Sequence, residues 1–358
     1  MHFKDIFKRK KAAPLDKAEA VSAISDDDEN DQWTQMQSES LVLVMGVTGA
    51  GKSYFINKLK PNSVAEGHGI ASQTKSCKLV QMQLGAYTVA AVDTPGFDDD
   101  EDSDAAVLAK ISRFLIAQHL LGIKLKGIIF LHSINTVRFS GSHKRYLDTF
   151  RRLCGEEAFK NVALVTTMWE RENHDTKYQR DAALQSGPWA DLIAKGAYVF
   201  QYDGTSDMAQ TIVRLLMIKK ETVLQIQKEL TEDRGKLECT TAGADLASEL
   251  DKKLEACQKE IQSLRQQKET AEQRHDDTSV KRLQAQIETK RQKQIKQMKS
   301  RDALRPKLAE ETDKSIKEAD QVKRTKGERW RNRLQIFVTV LSPIVGIAAH
   351  FLIPLAGA

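Results

Sequence analysis

Eight residues, GVTGAGKS from Gly46 to Ser53, carry the most specific chemical signal in the chain. Their spacing is G-x-x-x-x-G-K-S. Glycines at both ends let the backbone curl so that successive N–H groups converge on an anion. Lys52 then sets a point charge against the β- and γ-phosphates of a nucleotide, and the Ser53 hydroxyl is a ligand for Mg²⁺. A helix starting near Lys52 adds its positive N-terminal end. The apolar run Leu41–Met45 before the loop and the YFINKL stretch from Tyr54 after it read as strand and helix, the context the motif requires. The expected nucleotide contacts are therefore Gly46, Thr48, Gly49, Ala50, Gly51, Lys52, Ser53 and Tyr54. A glycine-rich turn without a ligand is the plain alternative. The loop specifies a nucleoside triphosphate but not its base.

A second group lies about forty residues on. VDTPG, Val92 to Gly96, closes a strand-like run. Asp93 is placed to reach Mg²⁺ through water, and the Gly96 N–H to meet the γ-phosphate. Between the two motifs, SQTKSC (Ser72 to Cys77) holds Thr74, which is expected to close over Mg²⁺ when the γ-phosphate is present. By itself DTPG is only a turn. At this distance from a phosphate loop it points to a GTPase.

Taken together, GVTGAGKSYFINKL, SQTKSC, VDTPGFDD and the later VRFS resemble the septin-like GTPases. The resemblance is strongest to the immunity-associated (avirulence-induced) group and weaker to the chloroplast-import receptor GTPases. LCGEEAFKNVALVTTMWE is also similar to uncharacterised fungal G-domain proteins. The resemblance covers about half the chain. It implies a doubly wound G domain of the P-loop NTPase class, GTP or GDP with Mg²⁺, and homodimers or oligomers formed through the nucleotide face. It also implies a membrane-bound C-terminus.

Two departures stand out. Where the family has (N/T)-K-x-D to read guanine, this chain has TMWE: Thr167 keeps the first position, Met168 replaces lysine and Glu170 stands for aspartate. Glu170 can accept the same two hydrogen bonds from guanine, one methylene farther out; otherwise it only caps the following loop. After DTPG comes Phe97, which cannot orient water as the glutamine of Ras-like enzymes does, so slow intrinsic turnover is expected. The family's R-F-T box corresponds to Arg138-Phe139-Ser140. The resemblance implies that Arg138, delivered across a dimer, neutralises charge in the transition state; a surface arginine is the plain reading.

These residues need a scaffold to hold them. Apolar runs at 41–45, 77–84, 87–93, 127–132, 161–167 and 197–203 read as strands, with helices expected over Ala105–Leu121 and Ser206–Leu230. Such interleaving predicts an α/β fold with a mainly parallel sheet over residues 39–220. The 77–93 stretch instead reads as a hairpin turning at Gly85-Ala86, which makes one edge antiparallel. Residues 1–38 carry a basic cluster (Lys8 to Lys11) and an acidic run (Asp26 to Glu29) with few large apolar side chains, the composition of a disordered tail.

Residues 221–333 change character, with abundant Lys, Glu, Gln and Arg. Leu250, Leu254, Cys257, Ile261 and Leu264 step by 4, 3, 4 and 3, the seam of a coiled coil, so a long helix or helical hairpin is expected. Residues 281–333 hold 18 Lys and Arg against 8 Asp and Glu. A basic helix suggests nucleic acid, but the next 25 residues, 334–358, contain no formal charge. As a helix they reach about 37 Å, beyond the roughly 30 Å of a hydrocarbon core. A hydrophobic C-terminal helix anchored in lipid is therefore expected, with the rest on the cytosolic face of the membrane and no nucleic-acid partner. Packing of that helix inside a protein assembly is the alternative. The four cysteines lack metal-site spacing and suit a reducing compartment.

The whole reads as a membrane-anchored, self-associating, slow GTPase. A non-hydrolysing nucleotide-binding scaffold that works through its coiled coil, or an ATP-using P-loop protein, remain the competing readings.

Overall fold

The structure, a computed structural model, describes residues 40–64, 77–85, 87–96, 103–136, 139, 141–169, 174–232, 235–325 and 349–350. The loop-forming strand β1 (Ser40–Gly46) is buried along its whole length. Successive side chains point to opposite faces, so a strand buried at every position must be covered on both. This is why it reads as a continuous apolar run rather than an alternation. Each such leucine or valine contributes roughly 1.5–3 kcal/mol by leaving water.

The other strands are β2 (Lys78–Leu84), β3 (Tyr87–Asp93), β4 (Lys124–Ser133), β5 (Val162–Thr167), β6 (Tyr198–Gln201) and β7 (Ala349–His350). They form one sheet in the order β6-β5-β4-β1-β3-β2-β7. All neighbouring pairs are parallel except β2 and β3. The hairpin expected at residues 77–93 is thus the antiparallel element, turning at Gly85 with φ 63°.

Helix α1 (Lys52–Leu59) follows the glycine loop, and α2 (Asp104–Leu120) follows β3. Ser103 caps α2 by accepting from the Ala106 N–H. Helices α3 (Gly141–Cys154), α4 (His174–Ser186) and α5 (Ala190–Ala194) precede β6, and α6 (Ser206–Met217) comes after it. The expected helix over Ser206–Leu230 is broken. Helix α6 stops at Met217, and α7 (Gln225–Glu232) begins anew. The intervening backbone is claimed by the sheet: Thr222 N–H donates to the Leu125 carbonyl (2.9 Å), Lys126 Nζ to Lys219 O (2.9 Å), and Asn161 Nδ2 to Lys220 O (2.8 Å). Tertiary hydrogen bonds here outweigh a weak local preference for helix.

Helix α8 (Thr241–Gln273) and helix α9 (Asp277–Asp302) form an antiparallel hairpin. It turns at His275, φ 56°, and Asp276 caps α9. Cys257 and Ile261 of the expected seam are buried against Ile287, with Leu264 alongside. Pairing is therefore within the chain. The root of this arm belongs to the G-domain core itself: Leu237, Leu246, Leu304 and Leu308 are buried in the same apolar cluster as the sheet. Arg301 joins Glu238 and Asp251, and Arg152 pairs with Asp245 at 2.8 Å. Helix α10 (Leu308–Thr325) then lies against α2, where Arg113 meets Glu311 at 3.2 Å.

Among the described residues no helix is long and apolar enough to cross a membrane. The helix expected over 334–358 lies outside them except at Ala349 and His350. Those two correct it: they are extended and pair with Leu79 and Val80. The disordered tail expected at 1–38 is likewise outside the described residues.

Candidate functional site

The phosphate loop sits where the motif places it, at the C-terminal end of β1 between β3 and β4. Gly46 has no room for a side chain, since a β-carbon there would lie 2.5 Å from the Leu131 carbonyl oxygen. Gly49 and Gly51 take φ of 80° and 86°, the left-handed region that favours glycine. Gly51 is the N-cap of α1 and offers no side chain to its open N–H groups, which leaves them for an anion.

Lys52 is 7% exposed, and its ammonium donates to the Gly46 and Val47 carbonyls, each at 3.0 Å. The charge is thereby held within the curl of the loop. Thr48 Oγ1 is buried and has no hydrogen-bond partner among the described residues. A buried hydroxyl left so is costly unless a ligand satisfies it. Ser53 Oγ donates to Asp93 Oδ2 at 2.9 Å, joining the loop to the end of β3. Next to it, Thr94 Oγ1 donates to the Val44 carbonyl at 2.9 Å and locks the turn onto β1. Gly96 then meets the loop backbone to backbone, since a β-carbon on it would fall 2.8 Å from Thr48 N. The structure thus brings Gly46, Thr48, Gly49, Ala50, Gly51, Lys52, Ser53, Asp93 and Gly96 together.

On the opposite side, Thr167 Oγ1 donates to Ala50 O at 3.0 Å and ties the end of β5 to the loop. Tyr54 reaches across to the Gly204 carbonyl at 3.5 Å, and Ser206 Oγ donates to Lys58 O at 2.7 Å. These two contacts bring the Asp203–Thr205 turn beside α1. Thr74, Phe97, Arg138, Ser140 and Glu170 lie outside the described residues. Phe139 is described, with its ring 5.9 Å from both His132 and His143.

Some parts of the site carry no sequence signal. His132, near the end of β4, is buried among Phe139, His143 and Trp189. Burial, reinforced by His143, pushes its pKa down to about 4, so the imidazole stays neutral at pH 7. Lys177 of α4 donates to the Met168 carbonyl at 3.0 Å. Nothing in the local sequence around Lys177 distinguishes it from a surface lysine. Thr94 was within reach, because the hydroxyl of DTPG is a fixed part of that turn.

Residues 40–186 match the model of the AIG1 family. Over 157 residues the chain is 27% identical to GTP-binding protein A of Dictyostelium discoideum, a stretch covering 43% of this chain and 34% of that protein. Over 167 residues it is 24% identical to Translocase of chloroplast 34 of Arabidopsis thaliana, covering 46% and 52%. The chain thus spans about half or less of the length of these curated relatives. Among solved structures it is similar to Toc33 from Arabidopsis thaliana in complex with GDP and Mg²⁺, at 16% identity and a TM-score of 0.43, covering 54% of this chain and 91% of that one. The family match agrees with the resemblance read from the motifs, and it ends before α5.

Proposed function

We propose that this chain binds GTP with Mg²⁺ in the loop at Gly46–Ser53 and hydrolyses it slowly, with residues 39–220 acting as the G domain and 221–333 as a helical arm. The observation that carries the reading is the cradle itself: the inward Lys52 ammonium, the partnerless Thr48 hydroxyl and the Ser53–Asp93 pair, all at the end of one strand. Lys52 would neutralise the β- and γ-phosphates, and the N–H groups opening α1 would bind their oxygens. Thr48 Oγ1, against which Gly96 packs, would donate to a phosphate oxygen. A Mg²⁺ would be held by Ser53, Thr74 and phosphate oxygens, with Asp93 behind water. The ion supplies charge neutralisation on the phosphates when bound.

The nucleotide released from purified protein and separated by chromatography is expected to be GDP or GTP. Release of adenine nucleotides alone would favour the ATP reading and remove the role of Glu170 as the guanine acceptor. If GTP is bound but never cleaved, the scaffold reading stands in place of the enzyme.

Self-association through the nucleotide face is the second part of the proposal, with Arg138 of one subunit reaching the phosphates of another. Turnover per molecule should then rise with protein concentration. A specific activity flat across a hundredfold dilution would leave Arg138 no such role.

The third part is contact with membrane lipid through residues 334–358, which carry no formal charge. While Ala349 and His350 pair with β2, only 334–348 remain for a span, about 22 Å as a helix against the roughly 30 Å needed. Anchoring therefore requires β7 to leave the sheet edge. Full-length protein should float with lipid vesicles and a chain truncated after Arg333 should not; equal flotation of both would sink the anchor.

A further inference from the structure

We propose that the cleft beside the end of β4, lined by His132 and Arg180, binds a small carboxylate that carries an apolar or aromatic body. The proposal does not depend on the phosphate-loop reading.

The cleft lies on the far face of the sheet from the helix that follows the phosphate loop. Side chains two apart on a strand share a face, so His132 sides with Phe130. Phe130 packs on Tyr146 and Phe150 of α3, with ring centroids 5.3 and 4.5 Å apart. Gly127 belongs to the other face, where a β-carbon on it would lie 2.9 Å from Leu216 of α6, and α6 in turn packs on α1. An occupant of the cleft is therefore separated from α1 by the sheet.

The cleft holds about 510 Å³, open solvent included, within the roughly 300–1,000 Å³ of small-molecule sites. Ile134, Phe139, Leu184 and Pro188 give it apolar walls. Arg180, Ala183 and Leu184 reach it together because residues three and four apart on a helix share a face.

Two polar groups in this lining have bonding capacity to spare. His132 is 4% exposed, yet no described residue hydrogen-bonds to its ring nitrogens. Burial holds the imidazole neutral at pH 7, so it presents one N–H donor and one acceptor. Arg180 donates from Nη1 to the Ile134 carbonyl at 3.2 Å and pairs with no carboxylate among the described residues. The acid next to it in sequence, Asp181, is already engaged by Thr166, Gln185 and Gln201. Among the described residues no Asp or Glu lines the cleft. A single guanidinium among apolar walls matches a monoanion. Its remaining N–H groups can grip a carboxylate in bidentate fashion, His132 offers a further donor, and the body of the ligand covers Phe139 and Leu184.

The test is a ligand-observed NMR titration of the full chain with 3-phenylpropionate, its uncharged amide 3-phenylpropanamide, and acetate. The phenylpropionate should bind. The amide, for want of charge, and acetate, for want of an apolar body, should each bind at least about tenfold more weakly. Ala183→Phe, at an exposed helix position, should fill the cleft and abolish binding. Arg180→Gln should weaken it about tenfold, and Arg180→Lys, which keeps the charge but not the planar fork, by less. Lys52→Ala should leave it unchanged; loss there would place the probe at the phosphate loop and overturn the proposal. Phenylpropionate that does not bind, binds no better than its amide or acetate, or binds undiminished to Ala183→Phe overturns it too. The comparison of acid with amide needs no variant, so it decides the matter even if a substitution unfolds the chain.

Discussion

Replacing Lys52 by alanine is expected to weaken nucleotide binding by more than about a hundredfold while leaving the chain folded. The magnitude follows from the number of bonds at stake. A charge-assisted hydrogen bond in a water-poor site contributes roughly 1.5–3 kcal/mol, and an ammonium between two phosphates makes more than one. Two at the low end already give about 3 kcal/mol, or over two decades in affinity. In the structure the same ammonium donates to Gly46 O and Val47 O, so the substitution also frees two carbonyls of the loop. Those lie where the loop leaves β1, while the strand is held independently by Thr94 on Val44 and the far side of the loop by Thr167 on Ala50. Titration with a fluorescent GTP analogue measures the loss, and a thermal melt without nucleotide separates it from unfolding. An affinity within threefold of the wild type would show that the loop does not hold phosphate.

The second large effect belongs to the root of the arm. Gly243→Ala should destabilise the protein by about 2–3 kcal/mol and lower its melting temperature by roughly 5 °C. Gly243 lies in the first turn of α8, where alanine ordinarily gains about 1 kcal/mol over glycine. Here the β-carbon would overlap the Leu237 carbonyl oxygen, lie 2.8 Å from its carbon and sit 3.1 Å from Thr240 Oγ1. The Leu237 turn cannot retreat. Its side chain is fully buried, Glu238 N–H donates to Leu304 O at 2.8 Å, and Arg301 grips the Glu238 carboxylate. The helix cap is part of the same knot, with Thr240 Oγ1 accepting from Gly243 N and donating to Leu237 O. Gly235→Ala is the control, because among the described residues beyond its chain neighbours no atom comes nearer than 3.8 Å to its added carbon. A Gly243→Ala protein that melts with or above the wild type would mean that the arm is not seated on the G-domain core in this way.

Much of the site was legible because its parts are local. A phosphate loop is a property of eight consecutive residues: two glycines free to take positive φ, a lysine and a hydroxyl at fixed steps. DTPG is the same kind of object. Strands buried on both faces announce themselves as unbroken apolar runs, so β1, β3 and β5 were read within a residue or two. The seam at Cys257 and Ile261 was visible for the same reason, since a helix repeats its faces at a short, fixed interval.

What sequence left undecided depends on partners distant in the chain. The helix expected through residue 230 breaks because Leu125, Lys126 and Asn161 capture its backbone, and none of them is near in sequence. The arm looked like a separate module, yet Leu237, Leu246, Leu304 and Leu308 bury it in the sheet's own core. An uncharged C-terminal run reads as a helix, while at Ala349 and His350 the open edge of β2 offers backbone hydrogen bonds that draw it into a strand. Met168 is the sharpest case. By spacing it was a lysine lost from a base-reading motif. Only Lys177 on its carbonyl and the neighbouring tie of Thr167 to Ala50 place it, half-exposed, beside Gly51 of the loop. The sequence by itself determined which residues form the glycine loop with its lysine and hydroxyl, because short-range backbone geometry and side-chain chemistry suffice for that. Tertiary structure decided which side chains border that loop, because that surface is assembled from strand ends whose neighbours only the sheet order sets.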